Sequence, residues 1–195
     1  MTDSDLKLAR RAQKGDRQAL EALYERYKER LLGYLHKMLG DRPAAEDVFH
    51  DVWIKVMNSL PNYRPTQGSF RPWLFRVAAN ASVDRLRRNK RRAGPNLDAP
   101  AGEGSSERVI DQIAGETPTP ESATIGIEIA QDLDRHLALL PERQRNAVLL
   151  RHQQGMSYRE ISATLRVPEG TAKTLVHRGV QALRERLSNW SDDET

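Results

Sequence analysis

Apolar residues recur at helical spacing over most of the chain. Between Leu6 and Leu39, residues Leu20, Leu23, Tyr24, Tyr27, Leu31, Leu35 and Met38 keep to the helical period, with Gly15-Asp16 breaking the stretch and Gly40-Asp41 closing it. A second helix is expected from Ala44 to Leu60, where Val48, Phe49, Val52, Trp53, Val56 and Met57 form a wide apolar stripe that Pro61 ends. Residues 61–69 are rich in turn formers. A third helix is expected to start near Phe70 and to pass through Trp73, Leu74, Val77, Ala78, Ala81 and Leu86 into a basic run. Residues 93–127 lose the period: Ala, Gly, Pro, Ser and Glu dominate, and Val109, Ile110 and Ile113 bury too little area to offset the entropy of ordering them. The period resumes at Ile129, Leu133, Leu137 and Leu140, breaks at Pro141, and continues through Ala147 to Leu150. No strand-like alternation is present. The pattern predicts an all-α chain of two small helical domains, 1–92 and 128–190, joined by a flexible acidic linker, 93–127, with a short tail at 191–195.

The second domain carries a more specific signal. Ser157-Tyr-Arg-Glu160 has the spacing of a capping box, in which serine and glutamate satisfy two helix-end N–H groups reciprocally. The helix it opens places Ile161 and Leu165 inward. After Arg166-Val167, Pro168 stands where a first helical residue is expected, and a longer helix follows to about Leu187. Two helices across so short a turn, the second polar and basic at its start, make a helix-turn-helix. Glu169, Gly170, Thr171, Lys173, Thr174, His177 and Arg178 are then the residues that would enter a major groove, with Lys173 and Arg178 able to bond guanine edges or phosphates.

Charge sharpens this picture. The chain of 195 residues has a net charge of only +4, but residues 64–92 hold nine basic side chains against Asp84 alone, and residues 93–127 hold six acids against Arg108. Opposite local fields next to each other suit different partners. With no cysteine, disulfides, thiolate zinc sites and cysteine nucleophiles are excluded. The five histidines have no metal-ligand spacing, and no phosphate loop or nucleophile motif is present, so neither metal, cofactor nor catalysis is expected. No run of about 18 apolar residues could span a membrane. The start, Met1-Thr-Asp-Ser-Asp, lacks the regions of a signal peptide, which makes the cytoplasm the expected location.

Several separate segments together resemble one family. They are Glu46-Asp47-Val-Phe-His-Asp51-Val-Trp53, then Tyr63 to Arg88 with Phe70-Arg-Pro-Trp73 inside it, Leu140-Pro-Glu-Arg-Gln, Gly155-Met-Ser-Tyr-Arg-Glu-Ile and Pro168-Glu-Gly-Thr171. In this order and spacing the chain resembles a bacterial sigma factor of the extracytoplasmic-function type, over residues 5–188. The resemblance implies a transcription initiation factor that binds the clamp and flap regions of core RNA polymerase and directs it to promoter DNA. Its first domain would melt and capture the −10 element, and its second would read the −35 element as duplex. Glu46, Asp47 and Asp51 would dock on the polymerase; Ala44 stands where the family often has another acid, an absence that either weakens docking slightly or is made up by Asp41. Tyr63, Arg64, Gln67, Ser69, Phe70, Arg71, Arg76, Asn80, Asp84, Arg85, Arg87 and Arg88 would serve the −10 strand, with Tyr63 and Phe70 bounding the loop that takes a flipped base. Trp73 and Phe75 read as core. Tyr158, Pro168, Glu169, Gly170, Thr171, Lys173, Thr174, His177 and Arg178 would serve the −35 duplex, Leu175 replacing an arginine common in the family. The acidic linker suits a basic channel built for RNA, and an anti-sigma factor is an expected partner. The competing reading is a conventional helix-turn-helix regulator that binds duplex operators without polymerase.

Overall fold

The computed structural model describes residues 4–64, 70–93 and 132–192, and every regular element among them is helical. The first three helices begin on side-chain caps, and the second also ends on a special residue. Ser4 caps α1 (Asp5–Gln13), and Asp16 caps α2 (Arg17–Leu39) by accepting the Ala19 N–H at 3.1 Å. Gly40 closes α2 in the left-handed region at φ +70°, a conformation costly to any residue with a Cβ. Asp41 then caps α3 (Arg42–Ser59), accepting the Ala44 N–H at 3.0 Å. That capping engages the acid expected to stand in for the one missing at 44, and Ala44 itself is buried. A 3-10 turn, Leu60–Asn62, follows α3, and α4 runs Phe70–Ala93 with Lys90, Arg91 and Arg92 in its last turn, where a helix dipole favours cations.

The second half consists of α5 (132–138), α6 (Glu142–His152), α7 (Tyr158–Leu165) and α8 (Glu169–Asp192). The capping box is formed: the Ser157 Oγ accepts the Glu160 N–H at 3.2 Å, and a Glu160 oxygen accepts the Ser157 N–H at 2.9 Å. Pro168 lies just before α8 rather than inside it, and its carbonyl accepts the Ala172 N–H, so it occupies the cap position. Arg166 makes the sharp turn at φ +54°, where glycine would be the unstrained choice. The α6–α8 crossing is close at Gly179, where a Cβ would meet Val148 Cγ2 at 2.5 Å. The linker predicted over 93–127 lies, beyond Ala93, outside the described residues, as does loop 65–69.

Both halves contribute to one continuous apolar cluster, in which Tyr34, Phe70, Phe75, Leu31, Leu35, Leu150 and Ile161 are fully buried. The two halves therefore pack on each other, α6 against α2 and α7 against α4. Polar pairs stitch the seam. The Tyr34 hydroxyl donates to Asn146 Oδ1 at 2.7 Å with both residues buried, and Gln154 Nε2 donates to the Arg30 carbonyl at 3.3 Å. The buried Arg145 guanidinium donates to the carbonyls of Met38 at 2.6 Å, of Leu140 at 3.3 Å and of Ala138. Met38 lies in the last turn of α2, so the cation also meets that helix's negative end. Lys37 pairs with Asp134 at 3.0 Å. No helix among the described residues is long and apolar enough to cross a membrane.

Candidate nucleic-acid interface

Three surfaces stand out once the helices are in place. The first is the polar side of α3. Val48, Phe49, Val52, Trp53 and Val56 face the core, which turns Glu46, Asp47 and Asp51 outward, and all three are exposed. Ile54 and Met57, two of the few exposed large apolar side chains, lie on the same outer side and give it an apolar component. Arg42 pairs with Glu46 at 3.2 Å and Arg85 with Asp47 at 3.5 Å. The second pair joins a candidate docking acid to a candidate DNA cation; with Asp47 68% exposed it is a weak, screened contact.

The second surface is α4. Arg76, Asn80, Asp84, Arg87 and Arg88 succeed one another at one-, three- and four-residue steps on the side opposite buried Leu74, Phe75, Ala78 and Ala81. Asn80, Asp84, Arg87 and Arg88 are exposed, while Arg76 and Arg85 are half-buried. Burial pulls the Arg76 pKa below its ordinary value, and the positive Arg166 nearby pulls the same way. Tyr63 and Phe70, expected to bound an open base-capture loop, are only 7% and 0% exposed. Their rings belong to an aromatic cluster with Tyr27 and Trp73, the Tyr63 and Trp73 centroids being 4.8 Å apart. Phe75 is core, as expected, whereas Trp73 is only half-buried. Gln67 and Ser69 lie outside the described residues.

Arg71 points elsewhere. Its Nη2 donates to Glu160 at 2.7 Å and its Nη1 to the Gln154 carbonyl at 3.3 Å, so a cation expected to serve DNA is held by the second domain. Burial pushes the Glu160 carboxyl up, but bonds from Ser157 and Arg71 outweigh it and hold the group below the ordinary carboxylate value. At the far end of α4, Lys90 pairs with Glu142 at 2.9 Å.

The third surface is α8. Ala172, Val176, Gly179 and Leu183 face inward, and this leaves Glu169, Gly170, Thr171, Lys173, Thr174, His177 and Arg178 exposed. The Thr174 hydroxyl donates back to the Gly170 carbonyl at 2.9 Å, so it offers a neighbour its oxygen and methyl. Leu175 turns partly into the core, which is what an apolar residue does at that register. Tyr158 is half-buried beneath the Arg151 guanidinium, 4.8 Å from its ring centroid, a packing role as much as a surface one. Among the described residues no group of three or more His, Asp or Glu could hold a metal ion.

Sequence reasoning identified these faces but missed what Glu160, Asn146 and Arg145 do. Glu160 was visible only as a capping residue, and its second partner is 89 positions away. Nothing local marks Asn146 as the partner of a tyrosine 112 residues earlier.

Comparison with known proteins bears on all three surfaces. Residues 23–92 match the family description of sigma-70 region 2, and residues 130–183 match that of sigma-70 region 4. The chain is 31% identical over 186 residues to the ECF RNA polymerase sigma-E factor of Escherichia coli K12, covering 94% of each. It is 30% identical to the RNA polymerase sigma-H factor of Pseudomonas aeruginosa, covering 95% of this chain and 94% of that one. ECF RNA polymerase sigma factor SigW of Bacillus subtilis is 29% identical over 93% of this chain and 95% of its own. Among solved structures, the fold is similar to CnrH in complex with the cytosolic domain of CnrY, with a TM-score of 0.68, 21% identity, and coverage of 96% and 99%. It is also similar to the sigma factor RpoE in complex with the anti-sigma factor NepR from Bartonella quintana, with a TM-score of 0.62, 20% identity, and coverage of 85% and 96%.

Proposed function

Because the chain belongs to the ECF RNA polymerase sigma factors, it is a transcription initiation factor, and we propose which of its residues bind core polymerase and direct it to promoters. The single observation that carries the assignment is the division of charge and exposure among α3, α4 and α8. Each bears a polar face turned away from the shared core, and each face has its own chemistry. Residues 1–92 act as the region 2 domain. Glu46, Asp47 and Asp51 of α3 dock on the polymerase clamp. Asn80, Asp84, Arg87 and Arg88 of α4, with Arg64, Arg76 and Arg85, hold the −10 strand, and Arg71 joins them once the second domain releases it. Extruding a base costs a few kcal/mol, which stacking at ~1–3 kcal/mol per base and phosphate contacts offset. Residues 128–190 act as region 4, in which Lys173, His177 and Arg178 read the −35 duplex from the major groove. Residues 93–127 join the two. The chain contributes recognition rather than a catalytic step, and it acts in the cytoplasm, where polymerase and promoter are. An anti-sigma factor that covers these faces is the partner expected to hold it off the polymerase.

The two readers must part to work. Elements named for positions 10 and 35 lie about 25 base pairs apart, roughly 85 Å of duplex at 3.4 Å per base pair. A compact chain of 195 residues has a radius of gyration of only about 16 Å. With α6 and α7 packed on α2 and α4, both elements cannot be reached at once, so promoter engagement draws the second domain off the first.

In vitro transcription with core polymerase and a genomic promoter library tests the assignment. Specific transcripts are expected only when chain and core are combined, and Asp47→Lys with Asp51→Lys should abolish co-purification with core while leaving the fold intact. Tight operator binding by the chain alone, with no polymerase-dependent initiation, would refute it.

A further inference from the structure

Helix α1 lies ahead of the residues that match region 2, which begin at 23, and no role above uses it. Its inner side is apolar, with Leu8 and Ala9 buried. On its outer side Lys7, Arg10 and Lys14 fall at three- and four-residue steps on one face, all exposed, and Arg17, also exposed, follows at the start of α2. The acids nearby are already committed. Asp5 binds Arg26 and the Tyr27 hydroxyl, while Asp16 caps α2 and pairs with Arg11 at 2.8 Å. Arg10, Lys14 and Arg17 have no carboxylate partner among the described residues. The stripe borders a shallow recess of about 290 Å³ open to solvent, lined by Ser4, Leu6, Lys7, Arg10, Arg11 and Lys14.

Position gives this charge a use. Gln13, three residues on from Arg10, donates to the carbonyls of Leu60 and Tyr63 and so fixes the end of α1 against the 3-10 turn that precedes the loop expected from the family resemblance to take a flipped base. The acidic docking face lies on α3, whereas α1 packs on α2, α4 and that turn, and the second domain packs chiefly on α2 and α4. Arg10, Lys14 and Arg17, without a carboxylate partner among the described residues and close in sequence to the Gln13 that bonds this turn, complement a polyanion.

We propose that the α1–α2 junction carries a phosphodiester-backbone site, formed by Arg10 of α1, Lys14 just after it and Arg17 at the start of α2, that holds the promoter strand alongside the Leu60–Tyr63 turn. The site extends the −10 surface of α4 and rests on the region 2 assignment made above. Each phosphate contact on a single strand contributes about 0.7 to the slope of log affinity against log salt, by counterion release.

The test uses the full chain on core polymerase. Its probe is a fork-junction DNA, single-stranded through the −10 element, built from a promoter that the transcription library returns. Relative to wild type, Arg10→Gln with Lys14→Gln should lower the salt slope by about 1.4 and weaken binding about 25-fold at 0.1 M salt. The thermal midpoint should be unchanged, since both side chains are exposed. An unchanged slope with a wild-type complex that binds normally overturns the site. Loss that appears on fully duplex DNA but not on the fork moves the contact to duplex and overturns the strand assignment. Loss of co-purification with core shows that the stripe faces the polymerase and overturns it equally. A library that returns no promoter refutes the initiation-factor reading, and this proposal with it, so the two failures are told apart.

Discussion

Glu160→Gln combined with Asn146→Ala should loosen the seam between the two domains without substituting any residue of the α4 or α8 DNA-reading faces, although it frees Arg71 from its partner. One Glu160 oxygen pairs with Arg71 at 2.7 Å, and the other accepts the Ser157 N–H at 2.9 Å. Glutamine serves a capping box as well as glutamate does, so α7 keeps its start and only the charge is lost. The two partners are 24% and 28% exposed, which places the pair between a solvated ion pair of ~0.2–1 kcal/mol and a desolvated charged hydrogen bond of ~1.5–3 kcal/mol; about 1 kcal/mol is a fair value. Removing the Asn146 side chain strips the buried Tyr34 hydroxyl of its acceptor across the seam and leaves it only Ser82 of its own domain, a loss of ~1–3 kcal/mol that water repairs once the domains separate. If the two changes act independently, the packed arrangement loses roughly 2–4 kcal/mol. Its population relative to the separated form then falls roughly 30-fold to 1000-fold. A chain without cysteine accepts two dyes at chosen exposed sites, for example Asn58→Cys and Gln181→Cys. Single-molecule energy transfer should show a high-transfer population in the wild type and a shift to low transfer in the double variant. High salt should reproduce part of that shift in the wild type and add a smaller one in the variant, which keeps the Lys37–Asp134 and Lys90–Glu142 pairs across the seam. Identical transfer distributions in both proteins, across salt, would refute the argument that these two contacts hold the domains together.

Other substitutions test other parts. Gly179→Ala puts a methyl within 2.5 Å of Val148 Cγ2; the overpacking costs ~1–3 kcal/mol against ~1 kcal/mol gained in helix propensity. The thermal midpoint should fall by several degrees and recover when Val148→Ala is added. Arg145→Met strips three carbonyls of their donor and should lower stability by ~2–4 kcal/mol, read as a fall in urea midpoint at constant m value. Lysine at 145 should not rescue it, because one ammonium lacks the planar fork that reaches all three. The Glu160 carboxyl is held below 4.5 in the folded chain, so its contribution is complete above that pH and is lost as pH falls through the lowered value. Energy transfer should therefore drop in acid below about pH 4.5 in the wild type, and Glu160→Gln should lack that step.

The helices were legible because each is written locally. The apolar period marked α2, α3 and α4, and Ser157-x-x-Glu160 marked the start of α7 to the residue. Local chemistry also explains the differences. Asp41 looks like a surface acid in an acidic neighbourhood, but the residue before a helix that opens with Arg42-Pro43 has a free N–H to satisfy, and a short carboxylate does so. Pro168 reads as a first helical residue, yet its carbonyl starts the helical ladder from one position earlier. Tyr63 and Phe70 were placed by the loop between them. The structure shows what that loop could not reveal, that Tyr27 from α2 and Trp73 from α4 wait to enclose them. The seam between the domains was beyond reach for a different reason. Tyr34 and Asn146, or Arg71 and Glu160, are each sensible alone as a core tyrosine, a helix polar residue, a DNA cation and a cap. No periodicity joins residues separated by a segment that itself lacks a period.

Helix α8 keeps two vocabularies apart. On its inner side Ala172, Val176, Gly179 and Leu183 fix its angle against α6, and at Gly179 the tolerance is less than one methyl group. On its outer side Lys173, Thr174, His177 and Arg178 are exposed, and the Thr174 bond to the Gly170 carbonyl stays within the helix. Substitution on the outer side changes which duplex is preferred at little cost to folding, while substitution on the inner side changes the angle at which every outer residue is presented. A lineage carrying this domain can therefore adopt a new promoter by altering a few exposed letters, and the tight crossing at Gly179 is what keeps those letters in register while they change.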